Sequence, residues 1–361
     1  MACLNIPTKS YGEFSKRLHD RVGGKRIPID GSLEVTERCN LKCAHCYINR
    51  PIDDSDALKS ELSRRELEAI IDQIVDEGCL WLLLTGGEPF VRPDFPDIYT
   101  YAKRKGLLIT IFTNGTTITP RIAEQLSEWR PFSIEVTLYG CTRETYERVT
   151  GVSGSYERCI RGIELLLQHK LPFKLKSMIM TLNIHEVWDM QAYAESLGVD
   201  FRFDPVLNVR LDGDGRPAEY RINAEEAVSL DLADERRLIE WRMFNEKFSG
   251  PPSRPEYLYQ CGAGLSGFHI DSSGLLSVCM MARVPAYDLR KGRFSEGWQD
   301  FLPQVLAQRW SQETSCKNCD LISMCGQCPG WAQIETGDQE KPVEYLCRIA
   351  HLRARSFAMN P

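Results

Sequence analysis

Short apolar segments alternate with longer helical patterns between residue 31 and about residue 207 of this chain. Such alternation predicts βαβ units and a parallel sheet. Six repeats predict an α/β fold with a partial (β/α)6 barrel of the TIM type, whose functional residues lie at the carboxyl ends of the strands. The predicted strands span residues 33–38, 81–85, 108–113, 133–138, 173–181 and 200–206. The predicted helices between them span residues 63–77, 94–105, 120–129, 155–169 and 186–197.

Composition divides the rest of the chain. A loop rich in glycine, aspartate and proline follows the sixth predicted strand, and three prolines between residues 248 and 256 indicate a linker. We therefore expect four regions along the chain. They are an amino-terminal extension (1–30), the barrel (31–235), a helical bridge and linker (236–260) and a cysteine-rich unit (261–361).

Charge and hydropathy narrow the classes of partner. A content of 43% hydrophobic and 26% charged residues is typical of a globular protein, and a net charge of −6 argues against nucleic acid or an anionic membrane surface. The amino-terminal residues lack the apolar core of a signal peptide. The longest apolar run, residues 79–84, is far shorter than the roughly 20 residues of a membrane span. We expect a cytoplasmic protein with no nucleic-acid partner and no membrane partner.

Fourteen cysteines need an explanation, because a reducing cytoplasm favours metal binding or redox chemistry over disulfides. Cys3, Cys79, Cys141 and Cys159 stand alone, and we interpret them as inert thiols. The other ten form two groups. These are Cys39, Cys43 and Cys46, and then Cys261, Cys279, Cys316, Cys319, Cys325, Cys328 and Cys347.

The first group lies on one loop directly after the first predicted strand. Thiolates spaced as Cys39-x3-Cys43-x2-Cys46 can hold three irons of a 4Fe–4S cluster and leave the fourth iron without a protein ligand. Structural zinc is the alternative, but it needs four ligands and commonly uses CxxC pairs. His45 is adjacent to Cys46 and is therefore poorly placed to complete a zinc site.

The segment from Cys39 to Tyr47 resembles the CxxxCxφC signature of radical S-adenosylmethionine (SAM) enzymes, with His45 at the φ position. The segment Gly86-Gly87-Glu88-Pro89, after the second predicted strand, resembles the GGEP motif of the same family. The resemblance implies that SAM binds the open iron, near His45 and Tyr47, and that the GGEP segment meets its methionine part. It also implies that SAM is cleaved by one electron to a 5′-deoxyadenosyl radical, which takes a hydrogen atom from the substrate.

Later strand ends complete the cofactor site that the resemblance implies. Ordinary strand-end or turn chemistry is the alternative for each position. The residues expected near the ribose and methionine parts are Asn114, Glu135, Thr137 and Asn183. The candidate catalytic residues are Glu135, Tyr139, Arg202 and Asp204. Arg202 and Asp204 share one strand face and can both point into the barrel, with a salt bridge as the alternative.

The second cysteine group resembles the SPASM extension of radical SAM enzymes, which carries two auxiliary 4Fe–4S clusters; a zinc ribbon is the alternative. The resemblance implies two sets of ligands. They are Cys261, Cys279 and Cys328 for the first auxiliary cluster, and Cys316, Cys319, Cys325 and Cys347 for the second. Only two residues separate Cys325 from Cys328, whereas the family usually has three at this place. With three thiols, the first auxiliary cluster is expected to take a substrate atom, a water or a non-cysteine ligand as well.

SPASM enzymes mostly modify peptides, so the leading hypothesis is maturation of a ribosomally synthesised precursor peptide by crosslinking, epimerisation, decarboxylation, or backbone rearrangement or excision. One alternative is oxidation of a small-molecule alcohol or amine. Another is formylglycine formation of the sulfatase type, which is disfavoured because residues 280–283 contain no acid. A non-enzymatic iron–sulfur electron carrier is the remote alternative.

Two protein partners are also expected. The resemblance implies a flavodoxin- or ferredoxin-type reductant for the clusters. Many relatives recognise the precursor's leader through a domain of about 80 residues, whereas about 30 residues precede the first predicted strand here, which is too few. We therefore expect a separate leader-recognition protein.

Overall fold

The computed structural model describes residues 10–358 except 49, 249, 251 and 253. Cys3 and parts of the predicted extension and linker lie outside these residues. The strands are β1 (Asp30–Thr36), β2 (Arg38–Cys39), β3 (Arg50–Pro51), β4 (Trp81–Gly86), β5 (Leu108–Thr113), β6 (Ser133–Thr137), β7 (Phe173–Met178), β8 (Phe201–Asp204), β9 (Gly267–Ile270), β10 (Leu275–Ser277) and β11 (Tyr287–Asp288).

Most of the described helices lie between strands along the chain, and the last four belong to the carboxyl-terminal region. The helices are α1 (Tyr11–Val22), α2 (Ser55–Ser60), α3 (Arg64–Asp76), α4 (Phe95–Arg104), α5 (Pro120–Glu128), α6 (Arg143–Thr150), α7 (Ser155–Gln168), α8 (Val187–Ser196), α9 (Ala224–Ala233), α10 (Glu235–Phe248), α11 (Phe294–Glu296), α12 (Leu302–Leu306), α13 (Pro329–Thr336) and α14 (Glu344–Ala358). No helix within the described ranges is both long enough and apolar enough to cross a bilayer.

Nine strands form one sheet in the order β11-β10-β9-β1-β4-β5-β6-β7-β8. The six predicted strands correspond to β1 and β4 to β8, and all neighbouring pairs among them are parallel. This confirms the predicted α/β fold with a parallel sheet. On the other side of β1, β9 pairs in parallel and then continues into the antiparallel strands β10 and β11. The carboxyl-terminal region therefore extends the sheet of the barrel.

Alternate residues of the parallel strands face opposite sides of the sheet. One side is apolar and packs under the helices, as Leu33, Leu84, Ile111 and Val136 show by being fully buried. The other side lines the inside of the open barrel and carries polar and charged residues, which are described below. The carboxyl ends of the strands lie together, so the loops that follow β1, β4, β5 and β6 meet at one edge.

The structure departs from the predictions in a few helices. The segment 224–247 has a mainly helical sequence pattern and forms two helices, because the Asp234 side chain accepts a hydrogen bond from the backbone of Arg237 at 2.9 Å and starts α10 as an N-cap. Helix α6, which was not predicted, begins at the N-cap Thr142 and ends before Gly151 in the left-handed conformation.

Candidate active site

The first cysteine group lies on the loop between β2 and β3, just beyond the end of β1. The short parallel ladder of β2 and β3 closes the base of this loop. Farther along, the backbone amides of Lys42 and Ala44 donate to the carbonyl oxygens of Thr150 and Val149, each at 2.9 Å. The loop is therefore fixed by backbone hydrogen bonds both at its base and along its length.

The thiols of Cys39, Cys43 and Cys46 are neighbours. Burial raises the pKa of Cys43 well above its usual value, and Cys46 and Cys39 raise it further. Burial also raises the pKa of Cys39 to about 12, with added effects of Glu88 and Cys46. The three thiols do not converge on a single-ion site, nor do any three Cys, His, Asp or Glu side chains among the described residues. Burial disfavours free thiolates at this place, but thiolates bound to iron are neutralised by the metal. Three adjacent thiols of this kind are a donor set that fits an iron–sulfur cluster.

A buried aromatic pair lies against the cysteine loop. The rings of His45 and Tyr139 have centroids 4.9 Å apart at an angle of 61°, and the Tyr139 hydroxyl is hydrogen-bonded to the Cys43 thiol. The buried Nδ1 atom of His45 has no hydrogen-bond partner among the described residues. Burial lowers the pKa of His45 to about 4, so its ring is neutral and this nitrogen can accept or donate a bond to a ligand.

Gly86 and Gly87 form a turn that lies directly on the chain leading into the cysteine loop. The amide of Gly87 donates to the carbonyl of Thr36 at 2.8 Å, and the amide of Glu88 donates to the carbonyl of Arg38 at 3.0 Å. Gly86 has a φ of +133°. A Cβ atom on either glycine would overlap the backbone of this segment. The end of β4 can therefore lie against the segment that follows β1 only because both residues are glycine, whether or not a ligand is bound.

The carboxylate of Glu88 ties the end of β4 to the turn after β5. It accepts hydrogen bonds from the amide of Asn114 at 2.7 Å and from the hydroxyls of Thr113 and Thr117 at 2.8 and 3.1 Å. Burial raises the pKa of Glu88, and these donors oppose the rise. Glu88 therefore positions this turn, while Pro89 begins the short 3-10 helix that follows.

Asn114 extends this network to the cysteine loop. Its Nδ2 donates to Oδ1 of Asn40 at 2.9 Å and lies 3.7 Å from the Sγ of Cys39. Nδ2 of Asn40 donates to Oγ1 of Thr116 at 2.8 Å, and this hydroxyl donates to Oδ1 of Asn114 at 2.6 Å. Asn114 is thus brought to the cysteine loop, where it fixes the side chain next to Cys39.

Three charged side chains meet on the inner face of the barrel, one each from β6, β7 and β8. Glu135 forms ion pairs with Arg202 at 2.5 Å and with Lys176 at 3.6 Å. Burial lowers the pKa of Lys176 well below its usual value, and Glu135 opposes this shift. Thr137 lies beside Lys176 in the strand register. Arg202 therefore forms a salt bridge with Glu135, whereas the salt bridge considered from the sequence was with Asp204 on the same strand face.

The other predicted residues at strand ends bind the backbone around them. Asp204 accepts a hydrogen bond from the amide of Val206 at 2.8 Å. Asn183 donates to the carbonyls of Met178 and Tyr139 at 3.1 and 3.2 Å. Each contact gives its residue a structural role at the edge of the sheet where the cysteine loop lies.

The second cysteine group separates into two sets of neighbouring thiols. Burial raises the pKa of Cys328 to about 11, and two other cysteines contribute. Burial likewise raises the pKa of Cys325 to about 12, with contributions from three others. The two sets are Cys328 with Cys279 and Cys261, and Cys325 with Cys316, Cys347 and Cys319. This is the division that the resemblance implies, and the thiols' role as ligands remains a prediction.

Sequence analysis missed three charged residues near the site. Lys176 lies inside the barrel, while Glu34 on β1 forms a buried ion pair with Arg283 in the loop after Cys279. A signal existed for Glu34, because an acid flanked by Leu33 and Val35 within a buried strand needs a partner.

Comparison with known proteins gives consistent matches. A family described as the Radical SAM superfamily matches residues 33–195. The AdoMet-dependent heme synthase of Nitratidesulfovibrio vulgaris is 30% identical over 90% of this chain and 96% of its own length. The antilisterial bacteriocin subtilosin biosynthesis protein AlbA of Bacillus subtilis is 25% identical, over 84% of this chain and 67% of its own length.

The fold is also found among solved structures. The crystal structure of Streptococcus suis SuiB bound to precursor peptide SuiA matches with a TM-score of 0.69, over 94% of this chain and 83% of that chain. Sequence identity in this match is 16%, so the likeness concerns the fold. It covers the cysteine-rich carboxyl-terminal region as well as the barrel.

Proposed function

The chain belongs to the radical SAM superfamily, and from this premise we propose that it modifies a ribosomally synthesised precursor peptide. It is an enzyme of that superfamily, related both to peptide maturases and to heme synthases. The peptide substrate is supported by the fold match to SuiB, which was crystallised with its precursor peptide bound. This match covers 94% of the present chain. That match, which includes the region of both carboxyl-terminal thiol sets, is the observation that carries the proposal.

The first cysteine loop would hold the 4Fe–4S cluster through Cys39, Cys43 and Cys46. When bound, the cluster and SAM supply a 5′-deoxyadenosyl radical that removes a hydrogen atom from the substrate. The protein's own contribution is to fix and enclose this loop. Asn114 holds its start through Asn40, and the rings of Tyr139 and His45 exclude water from it.

Two auxiliary clusters would bind the carboxyl-terminal thiol sets, one with three cysteines and one with four. The set of Cys261, Cys279 and Cys328 leaves one iron for another ligand, which we propose to be a substrate atom, a water or a non-cysteine side chain. Inside the barrel, Lys176 supplies an amino group near Glu135 that can donate a hydrogen bond to a carboxylate of SAM or of the substrate. A flavodoxin- or ferredoxin-type reductant and a separate leader-recognition protein complete the proposal.

The test uses anaerobically reconstituted full-length protein with SAM and dithionite. We expect 5′-deoxyadenosine from the wild type and none from the matched variant Cys43→Ala. Adding a candidate precursor peptide encoded beside this gene should change the peptide's mass, except where the reaction is an epimerisation. A loss of two hydrogens would indicate oxidation or crosslinking, and a larger loss would indicate decarboxylation or excision. Epimerisation leaves the mass unchanged and is read from deuterium incorporation in D2O.

Two results would contradict the proposal. Wild-type protein with a full complement of iron that never forms 5′-deoxyadenosine would exclude radical SAM chemistry. Formation of 5′-deoxyadenosine that does not respond to the peptide, with no deuterium incorporated, would exclude this peptide as the substrate.

An iron porphyrin is the second candidate substrate. The whole-length match to the heme synthase favours it, and Lys176 and Arg202, which meet at Glu135, are hydrogen-bond donors inside the barrel that suit porphyrin carboxylates. Incubation with Fe-coproporphyrin III under the same conditions distinguishes the two, because loss of carboxyl groups from the porphyrin is expected only for this candidate.

Formylglycine formation is less well supported. Residues 280–283 contain no acid, and the acid that does reach this loop, Glu34, is fully buried and paired with Arg283. It therefore presents no open base to a substrate.

A further inference from the structure

A buried polar cluster lies where β1 meets the carboxyl-terminal region. We call it the Glu34 cluster, and its members are Glu34, Tyr47, His269 and Arg283. The Glu34 carboxylate accepts two hydrogen bonds from Arg283, at 2.5 and 2.9 Å. The Tyr47 hydroxyl lies 3.4 Å from the same carboxylate, and Nε2 of His269 lies 3.8 Å from it. Glu34 itself is fully buried.

Two members of the Glu34 cluster, Tyr47 and Arg283, come from the two proposed cluster-binding loops, while Glu34 lies on β1 and His269 on β9. Tyr47 directly follows Cys46, the last thiol of the first loop, and Arg283 lies four residues after Cys279. Arg283 also donates from Nε to the carbonyl of Met280 at 2.9 Å, which folds its own loop back on itself. One carboxylate therefore contacts both loops.

The surrounding strands make this contact rigid. β1 and β9 pair in parallel with Ser32 opposite His269, and the Ser32 hydroxyl lies 2.8 Å from Nδ1 of His269. Burial and then Arg283 lower the pKa of His269 well below its usual value, so the ring is neutral. Glu34 and Arg283 are thus left as a charge pair with a fully buried carboxylate, where losing one partner leaves the other without its counter-charge.

We propose that Glu34 and Arg283 are positioning residues that hold the auxiliary loop of Cys279 in place against the loop of Cys39, Cys43 and Cys46. This inference rests on the proposed function, because it concerns how two iron–sulfur sites are held relative to each other. Loss of the pair should disturb the auxiliary site nearest to it. The first site, which has its own contacts through Asn114 and Tyr139, should retain SAM cleavage.

The experiment compares reconstituted wild type, Arg283→Met and Glu34→Gln by electron paramagnetic resonance of the dithionite-reduced clusters. SAM alone is the probe. We expect both variants to alter the auxiliary signal and its midpoint potential. The SAM-induced change of the first cluster and the yield of 5′-deoxyadenosine should stay within about twofold of wild type, because the first loop keeps its own contacts through Asn114 and Tyr139.

Arg290→Met is the matched control. Arg290 also joins the carboxyl-terminal region to the barrel, through Glu66 at 3.0 Å and the carbonyls of Ser60 and Glu61. It touches neither cysteine loop, so its auxiliary signal should match wild type. An equal change in this control would overturn the inference, because the effect would then belong to any contact between the two regions.

A second variant covers the case in which Arg283→Met fails to fold. Glu34→Met combined with Arg283→Met leaves no buried charge unpaired and should fold, yet should still show the altered auxiliary signal. A wild-type signal in this folded double variant would overturn the inference. Failure of the proposed function looks different, because wild-type protein would then form no 5′-deoxyadenosine whatever the auxiliary signal.

Discussion

Replacing Glu88 by alanine should destabilise the protein and loosen the cysteine loop together. The side chain accepts three hydrogen bonds of 3.1 Å or less, from Asn114, Thr113 and Thr117. Each hydrogen bond to the buried carboxylate stabilises the folded protein by about 1.5 kcal/mol. The alanine variant no longer has to bury a carboxylate, which offsets about 1–2 kcal/mol of that loss. The expected net loss is therefore about 3 kcal/mol, because three buried donors lose their acceptor.

The assay is thermal unfolding of the reconstituted protein together with SAM binding. For a chain of this size, about 3 kcal/mol corresponds to a Tm lower by about 4 °C. SAM affinity should fall by about tenfold. Glu88 normally fixes the backbone amide of Asn114, and the side chain of Asn114 positions Asn40 beside Cys39, so loss of Glu88 should loosen this contact.

Glu66→Ala is the control for this prediction. Glu66 caps α3 at the half-exposed end of the helix, and its loss should cost about 1 kcal/mol without affecting SAM binding. A Glu88→Ala protein with the Tm and SAM affinity of wild type would refute the view that Glu88 acts through this turn.

Tyr139→Phe keeps the ring beside His45 but removes the hydroxyl bond to Cys43, so the midpoint potential of the first cluster should become more negative; an unchanged potential in a redox titration would contradict this. Gly87→Ala places a Cβ on the backbone of Arg38, so iron incorporation at the first loop should be lost, and wild-type iron content would show that the turn adjusts. Because the pKa of His269 is depressed in the folded state, only the unfolded state takes up this proton, and stability must fall as pH drops below about 6.5. His269→Gln should reduce that slope by up to about 1.4 kcal/mol per pH unit in urea unfolding at pH 5.5 and 7.

The barrel could be predicted from the sequence because its signals are local. Each strand is a short apolar run and each helix has a 3.6-residue period, so boundaries fall within a few residues. The fifth predicted strand runs to residue 181, whereas β7, which corresponds to it, ends at Met178. The strand ends there because the amide of Met180 donates to the side chain of Asn183 at 2.9 Å and not to a neighbouring strand. A side-chain acceptor that replaces a strand partner leaves no trace in hydropathy.

The cysteine sets could be predicted from spacing and resemblance, but the contacts between regions could not. Glu34 and Arg283 are separated by 249 residues, and their meeting depends on β9 pairing with β1. Likewise, Arg202 and Asp204 were correctly placed on one strand face, yet the partner of Arg202 is Glu135, two strands away in the sheet. Such pairs follow from the strand order and not from any local pattern.

The position of β1 explains why these contacts converge. It pairs with β4 on one side and β9 on the other, so it belongs to both the barrel and the carboxyl-terminal extension. The carbonyl of Thr36 at its end receives the amide of Gly87, while Glu34 near its centre receives Arg283. A change in the register of β1 would therefore displace the glycine turn, the cysteine loop and the auxiliary loop at once. Because a one-residue slip would also turn the charge of Glu34 towards the helices, the buried ion pair itself favours the register on which all three depend.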